Sequence, residues 1–379
     1  MNILRKEKGK DKGQMHITAH ITGIKYQTFC TAKLKEIDFT NFDINSRITY
    51  FIIKDKNYSF SISKWKSPKR TRSYPFERVY NTLGFNKKIT VIPVIKDEGK
   101  DGDRDYVQWD TVSLMSLLDV FVIFAYYDKA EKNPRYKNKA TSFEFDNNFV
   151  KNKIIEISNY HSSPLHWNLK EIKESLPDIL DKTIKSIKCL SSKLSINFHG
   201  EDGVLQFKEK FLEGLDEFMN ASRLRAKDAQ NREFKTIQPK EYLGSSTKAT
   251  ITIKNYLGGL YYLTTDEVEI KEDILYLIEG KHSRNAKLPS IGDIKDCLLK
   301  MILYCNLSDV KVDNKSYKVQ PTLKLTSELL ISNYNSKTGS SIEEFCKING
   351  IKTNLMKFLK LLLQEAKTND IDIIIESAK

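Results

Sequence analysis

The sequence predicts a mixed fold of the α+β or α/β kind, in which a mixed central sheet is flanked by helices. Short segments rich in β-branched and aromatic residues alternate with turn residues from about residue 15 to 100. Apolar residues recur at three- and four-residue spacing between residues 150 and 240, which is typical of helices. From residue 204 the order of elements is helix, three strands, helix, strand. We therefore expect an N-terminal mixed domain, an α/β core and a small helical C-terminus.

Composition limits the class of protein. The 379 residues are enough for two or three domains, and 40% hydrophobic residues exclude a disordered chain. The 62 Lys and Arg outnumber the 49 Asp and Glu, which gives a net charge of +13. This surplus favours a polyanionic partner through counterion release, and nucleic acid is the first candidate. A Lys-rich, solvated surface is the alternative explanation.

Cysteine usage and apolar segments point to a cytoplasmic protein. The cysteines are widely spaced, odd in number and never form a C-x-x-C pair, which favours reduced thiols. The N-terminus, MNILRKEKGKDKGQ, has no apolar core of a secretory signal. The most apolar run, VSLMSLLDVFVIFAYY, is short and carries Asp119, so we expect buried core rather than a membrane span. The five cysteines are Cys30, Cys189, Cys297, Cys305 and Cys346.

The first 150 residues predict two units. Residues 1–14 are expected to form a flexible basic arm. Residues 15–150 are expected to form a mixed domain, with strands in HITAHITGIKY, ITYFIIKD, YSFSISKW and ITVIPVI. This domain is our candidate for DNA recognition.

Residues 151–335 are expected to form the α/β core with a helical lead-in. The lead-in contains VLQFKEKFLEGLDEFMNASRL, and three strand-like runs follow it: ATITIKNY, GGLYYLTTDEVEI and DILYLIEGK. IGDIKDCLLKMILYC is apolar along one helical face, and Ser290 with Asp293 resembles a capping box at its start. YKVQPTLKLTS reads as a further strand.

The C-terminal segment, residues 336–379, is predicted to be helical. SIEEFCKINGIKTNLMKFLKLLLQEA has the pattern of helix, glycine turn, helix. In a helix-turn-helix unit, Thr353, Asn354 and Lys357 would begin the recognition helix. An ordinary helical hairpin that caps the domain is the favoured explanation of the pattern.

A strand that ends in charged residues marks the candidate site. The strand-forming run Ile274 to Ile278 ends in Glu279-Gly280-Lys281, and side chains two apart on a strand share a face. A turn around residues 270–273 would place Asp266 opposite Leu277. A register shift of one residue would exchange Asp266 for Glu267, which stays the alternative. The residues predicted to share this face are Asp266, Glu279 and Lys281.

Two carboxylates beside a lysine suit phosphodiester hydrolysis. Asp266 and Glu279 supply the hard oxygen ligands that Mg²⁺ prefers. The metal lowers the pKa of a bound water and neutralises charge on a scissile phosphate. Lys281 can orient that water or stabilise the transition state. We therefore expect Mg²⁺ as cofactor.

This arrangement resembles the PD-(D/E)XK, or restriction-endonuclease-like, nuclease superfamily, and LIEGKHS…LPSIGDIKDCLLKMIL is similar to type II restriction enzymes. The resemblance covers about residues 200 to 330, with Thr265 where the motif has proline. It implies a restriction-endonuclease-like core and a sequence-specific double-stranded DNA endonuclease with catalytic Asp266, Glu279 and Lys281. It also implies a cognate DNA methyltransferase, and cutting both strands favours a homodimer.

Several alternatives stay open. The three-residue motif recurs in this Lys-rich chain, and Glu98-Gly-Lys100 is the strongest rival because it too follows an apolar strand. A surface ion pair is the structural alternative. Among functions, the alternatives are a structure-specific DNA repair nuclease and a non-catalytic nucleic-acid-binding protein that keeps a nuclease-like core.

Two basic segments are candidates for DNA contact. SKWKSPKRTRSY interleaves cations with aromatic residues, and SRLRAK ends the helix that precedes the core. Basic side chains neutralise phosphates, and Arg also pairs with guanine in the major groove. A solvated charge run is the alternative for each segment. The candidate DNA-binding residues are Lys64, Lys66, Lys69, Arg70, Arg72, Arg223, Arg225 and Lys227.

Overall fold

The computed structural model describes most of the chain. The described residues are 15–56, 58–69, 75–212, 220, 224, 227–228, 231, 247–255, 260–338 and 341–378. The predicted basic arm, residues 1–14, lies outside them. So do four of the candidate DNA contacts, Arg70, Arg72, Arg223 and Arg225.

Strands dominate the first part of the chain, as the alternating pattern predicts. Strands and helices are numbered separately in chain order. This part contains β1 (Met15–Ile21), β2 (Lys35–Asp38), β3 (Tyr50–Lys54), β4 (Ser59–Lys64), α1 (Pro75–Thr82), β5 (Lys88–Pro93), β6 (Ile95–Asp97), β7 (Arg104–Tyr106), α2 (Trp109–Leu117), β8 (Val120–Ala125), β9 (Tyr127–Lys132) and β10 (Ala140–Phe145). A 3₁₀ turn, Phe39–Asn41, follows β2.

A helical stretch leads into the second part. It contains α3 (Asn147–Ser158), α4 (Pro164–Lys170), α5 (Leu176–Leu194) and α6 (Asp202–Leu212), with a π-helical turn, Glu171–Ser175, between α4 and α5. The remaining elements are β11 (Thr247–Asn255), β12 (Leu260–Lys271), β13 (Ile274–Ser283), α7 (Ile291–Tyr304), β14 (Leu307–Val312), β15 (Lys315–Ser316), β16 (Lys318–Ser327), β17 (Tyr334–Asn335), α8 (Ile342–Ile348), α9 (Thr353–Thr368) and β18 (Asp372–Ser377).

Nine strands form a mixed sheet in the order β15-β14-β1-β11-β12-β13-β16-β18-β17. At its centre β11, β12 and β13 are antiparallel neighbours, and β16 joins β13 in parallel. After α7 the chain crosses to the far edge to form β14 and β15, and then returns to β16. The described elements from α6 onward follow the predicted order helix, three strands, helix, strand, with a small hairpin inserted before the last strand.

Five strands form a second sheet in the order β2-β3-β4-β5-β8. Every residue of β5 and β8 is buried, because apolar layers cover both faces of this sheet. The strands β9 and β10 pair with each other, as do β6 and β7. The chain is thus a mixed α+β protein, as its sequence predicts.

The two sheets share packing across the predicted boundary between residues 150 and 151. Strand β1 pairs in parallel with β11 of the nine-stranded sheet, although it was assigned to the N-terminal domain. Helices α3 and α4 pack on the five-stranded sheet, although they were assigned to the core. One continuous apolar core joins residues of both sheets, Val122 and Ile251 among them.

The C-terminal segment, predicted to be helical, also contains a strand. Helices α8 and α9 form as predicted, but β18 pairs in parallel with β16 inside the nine-stranded sheet. Its buried residues Ile373 and Ile375 join the shared core. The run IDIII was too short to be distinguished from the end of a helix by periodicity. Within the described residues, no helix is long and apolar enough to cross a membrane.

A buried carboxyl group ties the N-terminal segment to the C-terminal helix. Glu365 of α9 is 0% exposed. It accepts hydrogen bonds from the hydroxyls of Tyr26 (2.8 Å) and Tyr80 (2.6 Å), and from the backbone N–H groups of Phe29 (2.6 Å) and Cys30 (2.9 Å). These bonds hold an irregular segment against the core, where its backbone could not otherwise be satisfied.

Replacing Glu365 by Ala should therefore lower the free energy of unfolding by about 3–5 kcal/mol, because four donors lose their acceptor. The matched control is Glu343→Ala in α8, where an exposed ion pair with Lys360 is lost. That change should leave the free energy of unfolding nearly unchanged, because solvent screens an exposed ion pair. Chemical denaturation of both variants checks the prediction, and equal losses would contradict it.

Candidate active site

The hairpin of β12 and β13 sets the geometry of the site. Its ladder pairs Lys271 with Ile274 at the turn and Glu267 with Ile278 at the far end. The predicted register, with Ile270 opposite Asp273, is wrong by two residues, because the chain turns at residues 272 and 273 instead. Glu272 makes this tight turn with a φ of +55°. A shift of two residues leaves each side chain on its predicted face.

Asp266 lies where the two strands separate, beside the charged motif. It is 5% exposed, and its Oδ2 accepts a hydrogen bond from the backbone N–H of Gly280 at 2.9 Å. Gly280 is the central residue of Glu279-Gly280-Lys281, so Asp266 is held at the middle of the motif. Its second oxygen, Oδ1, takes no hydrogen bond from the residues that the structure describes.

Glu279 is buried completely, with 0% of its surface exposed. Its Oε2 accepts from Lys300 Nζ at 2.8 Å, and its Oε1 accepts from the hydroxyl of Tyr304 at 2.8 Å. Burial raises the pKa of this carboxyl group to about 7, although Lys300 opposes the shift, and Asp266 adds to it. Near neutral pH the group is therefore close to the midpoint of its titration.

Lys281 provides a cation beside both carboxyl groups. Its ammonium makes no hydrogen bond with the described residues, and its pKa is raised by Cys297 and then by Asp266 and Glu279. Burial raises the pKa of the Cys297 thiol to about 12. At neutral pH that thiol is uncharged, so the two carboxyl groups keep Lys281 protonated.

Helix α7 supplies the residues that hold Glu279. The helix begins at the predicted cap, where the Ser290 hydroxyl accepts from the N–H of Asp293 at 3.1 Å. Asp296, Lys300 and Tyr304 follow at four-residue spacing, so they lie along one side of the helix. These three residues were not predicted to belong to the site. The signal was present, since they form a polar row on a helix predicted to face the core.

Asp296 connects the site to the N-terminal part of the chain. Its carboxyl group accepts from the backbone N–H of Glu77 in α1 at 2.8 Å. Burial raises its pKa to about 7, against the opposing effects of that hydrogen bond and of the Lys281 charge. Helix α1 is thus fixed against α7 next to the site.

Glu267, the alternative ligand, points to the opposite face from Glu279. It pairs across the ladder with Ile278, and its carboxylate lies 3.4 Å from Lys324 of β16. Asp266 rather than Glu267 therefore accompanies Glu279 and Lys281. Glu267 still borders the same small surface pocket as Asp266, of about 10 Å³.

The rival motif Glu98-Gly99-Lys100 lies in a turn rather than on a strand. Strand β6 ends at Asp97, and Gly99 has a φ of +89°. Glu98 pairs with Lys96 at 2.8 Å and with Lys139 at 3.1 Å.

The described candidates for DNA contact differ in exposure. Lys66, Lys69 and Lys227 are exposed. Lys64 is only 7% exposed, and its ammonium donates to the carbonyls of Ile44 (2.6 Å) and Ser46 (2.7 Å). Lys64, a predicted DNA contact, is the last residue of the buried strand β4, and its ammonium is held by these two carbonyls.

The donor set suits a metal that needs few protein ligands. Across the described residues, no three His, Cys, Asp or Glu side chains are grouped so that they could hold a metal ion. Mg²⁺, however, is commonly held by one or two carboxylates with water and substrate phosphates. Asp266 Oδ1 accepts no hydrogen bond from the described part of the chain, and the hydrogen-bonded oxygens of Glu279 keep further lone pairs. The residues present therefore fit Mg²⁺.

The five cysteines form no disulfide in this structure.

In comparisons with known proteins, the chain matches no protein-family model, no curated protein and no solved structure.

The raised pKa of Asp296 predicts a pH-dependent stability. The folded state holds this proton up to about pH 7, whereas the unfolded state loses it near pH 3.8, the ordinary pKa of an aspartate. The stability that this group contributes is therefore complete below the unfolded pKa and is lost as the pH rises through about 7. Asp296→Asn has no such proton to lose.

The melting temperature of Asp296→Asn, relative to that of the unchanged protein, should therefore rise between pH 5 and pH 8. Thermal melts at both pH values in EDTA test this. A difference that stays constant, or that falls, would contradict the assignment.

Proposed function

We propose that this chain is a Mg²⁺-dependent endonuclease that hydrolyses phosphodiester bonds in double-stranded DNA, of the type II restriction kind. The observation that carries the proposal is the hydrogen bond of 2.9 Å from Gly280 N–H to Asp266. It joins the acid of one strand to the middle of the Glu-x-Lys motif on the next strand. Asp266, Glu279 and Lys281, which together suit phosphodiester hydrolysis, thereby lie on the same face of the sheet.

The strand order around the site supports the proposal. Strands β11, β12, β13 and β16 are consecutive in the sheet, α6 precedes them and α7 lies between β13 and β16. With the β14–β15 hairpin left aside, the described elements follow the α-β-β-β-α-β order of the nuclease superfamily that the motif resembles. We propose a restriction-endonuclease-like core on this basis.

The chemistry follows from the environment of each group. Bound Mg²⁺ supplies a water of lowered pKa and neutralises charge on the scissile phosphate. Asp266 and Glu279 would hold it, and Lys300 and Tyr304 keep Glu279 in place. The Lys281 ammonium makes no hydrogen bond with the residues that the structure describes, so it can donate to the attacking water or to a phosphate oxygen.

The net charge of +13 supports DNA as the substrate, since phosphate neutralisation provides most of the affinity in such complexes. The exposed Lys66, Lys69 and Lys227 are proposed DNA contacts. A homodimer would present two sites to the two strands. A restriction system would also contain a methyltransferase that protects the host sequence.

One observation favours a second candidate, a non-catalytic nucleic-acid-binding protein with a nuclease-like core. Glu279 is 0% exposed, and both of its oxygens are already hydrogen-bonded. A carboxyl group in this setting also serves a purely structural role. DNA binding without Mg²⁺-dependent cleavage would favour this candidate, and cleavage confined to forks or ends would favour a repair nuclease.

Asp266→Asn should lower the rate of DNA cleavage by about 100-fold or more, because it removes the charge that holds Mg²⁺ and keeps the size of the side chain. Glu267→Gln is the matched control, since it changes the neighbouring carboxylate on the other face. It should keep most of the activity. Initial rates on one plasmid at fixed Mg²⁺, with DNA affinity measured in EDTA, separate chemistry from binding.

The reverse pattern would make Glu267 the ligand. Equal activity in both variants would place the first metal ligand elsewhere, and Glu98→Gln would then be the variant to examine. Lys281→Ala and Glu279→Ala should also abolish cleavage. If both cut DNA at normal rates, the site is not catalytic.

A further inference from the structure

A large cleft borders the five-stranded sheet, away from the carboxylate site. Its volume is about 710 Å³, and it lies between the loop at residues 45–49, the end of β4 and the β9–β10 hairpin. None of its lining residues borders the pocket at Asp266. Volumes of about 300–1,000 Å³ are typical of sites for small molecules and cofactors.

The lining of this cleft is strongly basic. Its cationic side chains outnumber its single carboxylate, Glu98, by five to one. Two of the cations pair with Glu98, which leaves a positive excess even within the cleft. Such an excess in a concave site attracts anions of high charge, phosphates in particular. The five cations are Arg47, Lys64, Lys66, Lys96 and Lys139.

Two lining residues hold polar groups that a ligand would complement. Burial, together with the nearby charges of Lys66 and Arg78, lowers the pKa of Lys64 to about 8. An anion in the cleft would relieve this destabilisation of its ammonium. Ser46 also lines the cleft, and its buried hydroxyl has no hydrogen-bond partner among the described residues.

Three packed aromatic rings, those of Tyr127, Phe143 and Phe145, form one wall of the cleft beside these charges. Tyr127 and Phe145 stack with ring centroids 4.4 Å apart, and Tyr127 and Phe143 are 5.2 Å apart. All three line the cleft, and Lys96 lies 5.3 Å from the centre of the Phe143 ring. A wall of packed rings beside cations suits a ligand that has a planar base and a phosphate.

We propose that this cleft binds one nucleotide, with its phosphate among Arg47, Lys66 and Lys139 and its base against the wall at Phe143. The nucleotide has two possible sources, a free mononucleotide or a single unit of a nucleic-acid strand. Both present the same chemistry to the cleft. The site does not depend on Asp266, so it stands whether or not the chain cuts DNA.

Binding measurements in EDTA test the proposal without cleavage. The probes are ATP and dAMP for the free source, and a fluorescent single-stranded oligonucleotide for the strand source. Inorganic phosphate and adenosine represent the two halves of the ligand. We expect at least one of ATP, dAMP and the oligonucleotide to bind with an affinity about tenfold or more above that of inorganic phosphate or adenosine. The reason is that the phosphate and the base both contribute to binding.

Variants assign the binding to the cleft. Lys66→Glu should weaken it by about tenfold or more through loss of a charge-assisted hydrogen bond. Phe143→Ala should weaken it by about fivefold or more through loss of stacking. Lys315→Glu reverses an exposed charge on β15, outside the cleft, and should leave binding unchanged. Thermal melts confirm that each variant is folded.

Binding of mononucleotides that is lost in Lys66→Glu and Phe143→Ala supports a free nucleotide as the ligand. If only the oligonucleotide binds, and both variants lose that binding, the ligand is a single nucleotide unit of a nucleic-acid strand. No binding of any probe, equal binding of inorganic phosphate, or unchanged binding in both folded variants would overturn the proposal. Asp266→Asn should bind as the unchanged protein does, so a failure of the cleavage proposal is distinguishable from a failure here.

Discussion

Burial of the Glu279 carboxyl group is the constraint on which the architecture of the candidate site depends. A carboxyl group at the interface of a sheet and a helix is costly unless donors meet both of its oxygens. Helix α7 meets this need with Lys300 and Tyr304, each at 2.8 Å. The carboxyl group therefore fixes which side of α7 faces β13. The same packing places Asp296 near Lys281, and the backbone of Gly280 holds Asp266.

The shared core explains how the two sheets support this site together. Apolar residues of both sheets form one cluster, and Asp296 receives the N–H of Glu77 from the N-terminal half. From the C-terminal end of the chain, Glu365 accepts hydrogen bonds from Tyr26 and Tyr80 and so connects helix α9 to the N-terminal part. The carboxyl groups of the candidate site are therefore held in place by contacts from both the N-terminal and the C-terminal parts of the chain.

Local features of the fold were predictable from the sequence, and long-range features were not. The Ser290 cap and the apolar face of α7 lie within one segment, so periodicity was sufficient to find them. The shared face of Asp266 and Glu279 was also predictable, since an error of two residues in the turn preserves it. The pairing of β1 with β11 joins residues more than 230 positions apart, which no local pattern encodes. Lys300 and Tyr304 were missed because their role depends on which strand α7 covers.

The cleavage of long sequenced DNA by the purified chain tests the central claim most directly. The protein is incubated with a viral genome and several plasmids, in Mg²⁺ and in EDTA, and the fragment ends are mapped by sequencing. The account predicts discrete fragments in Mg²⁺ only, with ends at one recurring sequence. Intact DNA in Mg²⁺, from folded protein that binds the same DNA, would contradict it.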